Sequence, residues 1–405
     1  MNNKTLKIYP ITYFCPMTND KKVPIYFKNL DGMRFIAAFF VILGHCQNII
    51  GEAYQKQNLV IPYQPYANKL AVFGVDFFFV LSGFLIAYML IDELARTGTI
   101  QVRRFYIRRS LRLWPLYLVV GVLGILSANF FIDWFNTGYG HGTTRDFVIN
   151  LLCLFTFSLN FETLFGWMNG GSSLMLGHFW SLGVEEQFYL MFAPLLRWAK
   201  NKLVWLLLAL ILLGFLTSFF WEILANDVLR LRLNPLQIHD SFYNFTINRF
   251  FYFGLGGLLA WLQFNNKLTP QYPLSKMASF TLQLAFLIPA LFYLFRWVYF
   301  TEAEWFLNGF LAAGFVGIAI TQYSLFRLEN QWLKYLGKIS FGVYIFHLFA
   351  IRLTGKLLEF LDFDMTSTAY LVLYPLISTI LSVAFAVVSY EYFEKYFLTL
   401  KNKFR

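Results

Sequence analysis

Five ionisable side chains stand inside runs of apolar residues, where an aliphatic side chain would be cheaper. His45 lies in "FIAAFFVILGHCQ" (35–47), Asp76 in "GVDFFFVLSGFL" (74–85), Glu185 and Glu186 in "FWSLGVEEQFYLMF" (179–192), and His347 in "YLGKISFGVYIFHLFAIRL" (335–353). An imidazole with an ordinary pKa of about 6.5 exchanges protons near neutral pH, and a neighbouring carboxylate can orient the ring or hold the imidazolium that forms. Each residue alone also has a structural reading: a histidine bonded to a backbone carbonyl, an aspartate capping a helix, glutamates in interfacial water. As a set they favour a buried polar site. Ionisable groups at membrane depth cost about 2.5–3.5 kcal/mol each on insertion scales and face one another or a water-filled path.

A second set is cationic. In "RRFYIRRSLRLWPLY" (103–117), Arg104, Arg108 and Arg112 recur at i, i+4 and i+8 as one helical stripe, with Arg109 beside it. Guanidinium groups bind phosphate oxygens bidentately, so the stripe suits lipid phosphates or those of a nucleotide-containing cofactor. A polybasic juxtamembrane helix that only anchors topology reads the same way. No phosphate loop of the GxGxxG or GxxxxGK[ST] type accompanies it, and "GLGG" (254–257) suits close helix packing.

The elements that must position these residues follow from composition. Of 405 residues, 58% are hydrophobic and only 14% charged, which excludes an ordinary soluble domain and predicts an all-α, polytopic integral membrane protein. Ten spans are expected, at 33–50, 71–91, 112–132, 179–199, 203–221, 246–264, 277–299, 305–322, 334–354 and 369–394. The run "FVINLLCLFTFSLNF" (147–161) is too short for a span and reads as re-entrant or interfacial. Residues 1–28 form a cytoplasmic segment without the apolar core and cleavage site of a signal peptide, 29–395 the transmembrane domain and 396–405 a basic cytoplasmic tail. Cys15, Cys46 and Cys153 offer neither a disulfide framework nor a ligand pattern, so no metal is expected.

Placing the N-terminus in the cytoplasm gathers about 24 of the 33 Lys and Arg on that side, as the positive-inside rule requires, with both termini cytoplasmic. The net charge of +11 is thereby largely topogenic, and nucleic-acid binding is not expected. At a helical rise of about 1.5 Å per residue, His45 lies about 18 Å above residue 33, past the midplane of a core roughly 30 Å thick. His347 reaches a comparable height, and Asp76, Glu185 and Glu186 point into the same outer half.

Five segments, in order, carry a resemblance: "LDGMRFIAAFFVILGH" (30–45), "GVDFFFVLSGFLI" (74–86), "FYIRRSLRLWPLY" (105–117), "FWSLGVEEQFYL" (179–190) and "KISFGVYIFHL" (338–348). They resemble the successive signatures of the acyltransferase-3 family of membrane O-acyltransferases. The resemblance implies a ten-helix enzyme that takes an acyl group, acetyl above all, from cytoplasmic acyl-CoA to a hydroxyl of an extracytoplasmic glycan or glycolipid. It implies a place among the lipids of a bacterial inner membrane. It matches the family's essential histidine to His45, its motif arginine to Arg34, its arginine pair to Arg109 and Arg112, and its acidic pair to Glu185 and Glu186. Phe35 stands where the family often has a small residue, and no extra soluble domain follows Tyr396, so any second catalytic module is expected to come from another protein.

On this reading His45 is the general base, Glu185 or Glu186 supports it, and Arg34, Arg109 and Arg112 hold the donor's phosphates, with Asp76 and His347 as a supporting polar site. A covalent acyl-histidine relay stays open beside direct transfer. A proton-coupled transporter would also bury His, Asp and Glu. It leaves the arginine stripe without a role, and the two halves of the chain show no internal repeat. The tryptophans Trp134 and Trp167 of the far-side loop 133–178 suit stacking on sugar rings or an interfacial belt.

Overall fold

The computed structural model describes residues 26–55, 64–130, 144–161, 176–265, 276–295, 302–365 and 367–404. Trp134, Trp167, Cys15 and most of the N-terminal segment lie outside them. Every element among the described residues is helical. In chain order the main helices are α1 (Leu30–Gln55), α2 (Gln64–Thr97), α3 (Val102–Phe130), α4 (Thr144–Phe155), α5 (Phe179–Ala199), α6 (Leu203–Phe219) and α7 (Pro235–Asn244). They continue as α8 (Phe250–Phe264), α9 (Lys276–Leu294), α10 (Glu302–Ile320), α11 (Gln331–Lys338), α12 (Ser340–Phe360), α13 (Thr368–Ser389) and α14 (Lys395–Lys401).

Six of these, α1, α2, α3, α9, α12 and α13 with its continuation to Lys401, are long and apolar enough to cross a membrane; α6 makes seven if it is joined to Trp221–Val228, from which it bends by 73°. The protein is an all-α, multi-pass membrane protein. Six or seven of the ten expected spans thus meet this measure of length and apolarity among the described residues, and the others miss it for physical reasons. Helix α8 has 15 residues and the apolar part of α10 runs only from Glu304 to Ile320, both short of the roughly 20 that a crossing needs. Helix α5 is long enough but is diluted by Glu185 and Glu186.

Two predicted boundaries also change. The third span starts at Val102, so the arginine stripe is the first turns of α3 itself. The ninth, expected as one helix over 334–354, breaks at Ile339 into α11 and α12. Asn330 caps α11 by accepting the Leu333 N–H at 2.7 Å, and the mixed pattern of "QWLKYLGK" suits a membrane surface rather than its interior. Gly337 lets the end of α11 approach α1 closely: a Cβ there would stand 2.0 Å from the Asp31 carbonyl oxygen. The run at 147–161 is the short helix α4 with a 3-10 turn at Leu159–Phe161.

Helix α2 is the axis of the bundle, packed along α1, α8 and α10. The "GLGG" stretch lets α8 approach it closely, since a Cβ on Gly256 would lie 2.0 Å from the Val80 carbonyl oxygen. Two ion pairs lie inside the bundle, Asp76 with Arg249 at 3.3 Å and Lys69 with Glu304 at 3.6 Å. The end of the chain is no loose tail: α13 runs through a π-helical stretch, Tyr390–Glu394, into α14 and a 3-10 turn, Asn402–Phe404, that pack on α3.

Candidate active site

A cavity of about 580 Å³ opens between α2, α3, α5, α12 and the start of α1. Its mouth is basic. Arg34 from α1, Arg96 from α2 and Arg104, Arg108, Arg109 and Arg112 from α3 line it, so the predicted stripe faces inward along its whole length. Three of these cations are neutralised locally: Arg34 by Asp31 at 2.6 Å, Arg96 by Asp92, and Arg108 by Glu93 at 3.3 Å and the Phe404 carbonyl at 3.1 Å. Among the described residues Arg104, Arg109 and Arg112 have no carboxylate partner, and the buried Nε of Arg109 has no hydrogen bond at all. Arg112 lies within electrostatic reach of both Arg34 and Arg109. Like charges gathered on one wall with an unmet donor fit a polyanionic phosphate group.

Deeper in, the wall changes character. Glu185 accepts the Ser82 hydroxyl at 2.6 Å, and Ser181 and Tyr344 pair their hydroxyls at 2.7 Å. All four line the cavity. Glu186 is turned away: it accepts the Trp114 indole N–H at 3.1 Å and is not in the cavity wall. The expected acidic pair is therefore split. Neither glutamate is in hydrogen-bond contact with His45 among the described residues, so the carboxylate support expected for that ring has another source or none.

What adjoins His45 is other imidazoles. The His45 and His347 ring centroids lie 5.1 Å apart, and His347 lies 4.6 Å from His178, the residue just before α5. Tyr344 lies 5.4 Å from each of the latter two rings, which joins the cluster to the inner end of the cavity. His178 and His347 are buried, at 2% and 0% exposure.

Asp76 does not belong to this cluster, contrary to expectation. Its carboxylate takes Arg249 Nη1 at 3.3 Å and Asn308 Nδ2 at 3.2 Å. The Arg249 guanidinium is in turn ringed by Tyr243, Trp305, Tyr252, Trp180 and Phe79. A buried carboxylate saturated by a cation and an amide is a structural tie between helices, closed to substrate.

Sequence reasoning missed four polar residues of the site: Ser82, His178, Ser181 and Tyr344. A signal existed. His178, Ser181 and Glu185 fall at i, i+3 and i+7, and Ser340, Tyr344 and His347 at i, i+4 and i+7, each a single helical face.

The family profile described as an acyltransferase domain matches residues 27–390. The peptidoglycan O-acetyltransferase OatA of Listeria monocytogenes is 27% identical over 348 residues, 82% of this chain and 51% of its own length. A Staphylococcus aureus protein named "Putative O-acetyltransferase" is 27% identical over 387 residues, 91% of this chain and 57% of its own. The chain thus spans about half the length of the curated relatives it matches. No solved structure matches it. With a profile covering most of the chain and the basic cavity leading to a histidine cluster, the chain belongs to the acyltransferase-3 family.

Proposed function

We propose that the protein is a transmembrane O-acyltransferase that moves an acetyl group from cytoplasmic acetyl-CoA to a sugar hydroxyl of a cell-envelope glycan on the far side of a bacterial inner membrane. The observation that carries this reading is one cavity with unpaired arginines at its mouth and paired hydroxyls against a histidine cluster at its end. A transporter needs no such polyanion seat. The peptidoglycan named for the Listeria relative makes an N-acetylated sugar polymer the first acceptor to test.

Arg34, Arg109 and Arg112 hold the donor's phosphates in this scheme, with Arg104 at the rim. The apolar wall of Leu85, Leu182 and Phe78 takes the arm that carries the thioester. His45 accepts the proton of the acceptor hydroxyl as its oxygen attacks the thioester carbon. His347 packs beside it and shares the positive charge that forms. Glu185 keeps the Ser82 hydroxyl fixed on the cavity wall. The topology that suits the two-sided reaction is the one the cation bias supports, with both termini cytoplasmic and ten helices in the membrane, several of them short or polar ones held inside the bundle.

The test is transfer of label from acetyl-CoA to a glycan fraction in membranes carrying matched amounts of wild-type or His45→Ala protein. Transfer by the wild type and none by the variant is expected. Unchanged transfer by the variant would remove His45 from the chemistry.

A further inference from the structure

The two deeper histidines have a property that structural packing does not require. His178 Nε2 stands 3.1 Å from the Ile345 carbonyl oxygen, and His347 Nδ1 stands 2.5 Å from the Tyr344 carbonyl oxygen. A carbonyl only accepts, so in each neutral ring the nitrogen facing it carries the hydrogen and the other carries a lone pair. Those other nitrogens, His178 Nδ1 and His347 Nε2, are buried and have no hydrogen-bond partner. Two unmet acceptors in rings 4.6 Å apart form a place for a mobile proton.

The hydroxyl pair beside them is similarly poised. Ser181 Oγ and Tyr344 OH lie 2.7 Å apart, and both reach the His178 carbonyl oxygen, at 3.0 and 3.3 Å. Three contacts share two protons, so the pair can exchange which hydroxyl donates. These hydroxyls line the donor cavity, whereas His45 does not. The acceptor's proton is released at His45 and is needed at the sulfur on the cavity side.

We propose that His347, His178 and the Ser181 and Tyr344 hydroxyls form a proton relay joining His45 to the donor cavity, an assignment that rests on the acyltransferase reading above. The acceptor O–H bond breaks, with its proton going to His45. The oxygen-to-carbonyl bond forms and the carbon–sulfur bond breaks, its electron pair leaving on sulfur. The hydroxyl pair protonates the thiolate. The proton held at His45 returns through His347 and His178 to restore the hydroxyl, so one proton crosses per acyl group moved. His178 and His347 are positioning residues here, acting through His45 and the hydroxyl pair.

The experiment measures acetyl transfer in membranes for wild type, His178→Gln and His178→Ala at matched protein level. The glutamine amide can keep the donor to the Ile345 carbonyl but cannot pass a proton. For His178→Gln, kcat is expected to fall roughly 100-fold or more, with KM for acetyl-CoA within about threefold of wild type. Added imidazole is expected to restore the rate of His178→Ala at least about tenfold while leaving wild type unchanged. A His178→Gln kcat within about threefold of wild type, or a loss in His178→Ala that imidazole does not recover, overturns the relay and leaves the acyltransferase reading standing. A wild-type protein that transfers nothing overturns both.

Discussion

Glu185 and Glu186 are neighbours in the chain that serve different partners: Glu185 receives the Ser82 hydroxyl at 2.6 Å on the cavity wall, and Glu186 receives the Trp114 indole at 3.1 Å behind it. A helix turns by about 100° per residue, which here puts Glu185 on the cavity wall and Glu186 off it. The two glutamine substitutions should therefore separate. Glu185→Gln alters the group that fixes Ser82 on the cavity wall and should lower kcat by roughly tenfold or more, whereas Glu186→Gln keeps an oxygen for the indole away from the cavity and should stay within about threefold. Equal losses in both would return the carboxylates to a joint role.

The arginine wall predicts a split in kinetic constants. Arg112 and Arg109 lack carboxylate partners, whereas Arg108 is occupied by Glu93 and the Phe404 carbonyl. A hydrogen bond to a charged group contributes about 1.5–3 kcal/mol, so Arg112→Ala should raise KM for acetyl-CoA roughly 10- to 100-fold with kcat nearly kept. Arg112→Lys should recover little of it, since the ammonium cannot form the bidentate fork. Arg108→Ala should cost less. A fall in kcat at constant KM for Arg112→Ala would place that residue at the reacting atoms instead.

Relative height along the bundle was legible from the sequence; angle around it was not. Counting residues along the helices placed His45 and His347 level with each other, and their rings are 5.1 Å apart. The same counting placed Asp76 in their outer half, yet it faces Arg249 across the bundle, because depth carries no information on which neighbour a helix face meets. His178 escaped notice because it stands one residue outside the predicted span, where a histidine looks interfacial. The arginine stripe was legible because its i, i+4, i+8 period fixes a face without any tertiary information. The span count was legible only in part, since helices held inside a bundle, such as α8, can be shorter than a lipid-facing crossing.

The Asp76 and Arg249 pair predicts a stability effect without a chemical one. Both side chains are essentially unexposed, at 0% and 1%. Removing one partner of such a pair leaves an uncompensated charge and costs about 3–5 kcal/mol. Asp76→Ala and Arg249→Ala should each lower the unfolding midpoint in detergent sharply, and the double variant Asp76→Leu with Arg249→Met should recover most of the loss. Acetyl transfer per folded molecule should be near wild type in the double variant. A folded, stable double variant with no activity would assign Asp76 to the reaction.

At the start of α1 the structure predicts a pH dependence with a definite sign. Glu329 accepts the Asn29 backbone N–H at 2.5 Å, Tyr26 OH at 2.9 Å and Lys334 Nζ at 3.0 Å. Burial pushes its carboxyl up, but these donors and the lysine charge outweigh it and hold the group below its ordinary 4.5. A carboxylate depressed in the folded state stabilises fully above its unfolded value, and the contribution disappears as the pH falls through the depressed one. Asn29 also ties α1 to α10 and the strand of chain before α11, giving its side-chain N–H to the Ala319 carbonyl and accepting the Leu328 N–H. Loss of the Glu329 charge should therefore loosen the entry to α1, which carries Asp31 and Arg34 at the cavity mouth. Hydrogen exchange at the Asn29 amide, corrected for intrinsic rate, should quicken as the pH drops below about 4.5, and Glu329→Gln should make it fast and independent of pH across that window. Protection at Asn29 that is unchanged by acid in the wild type would show that the helix start is held by its packing alone.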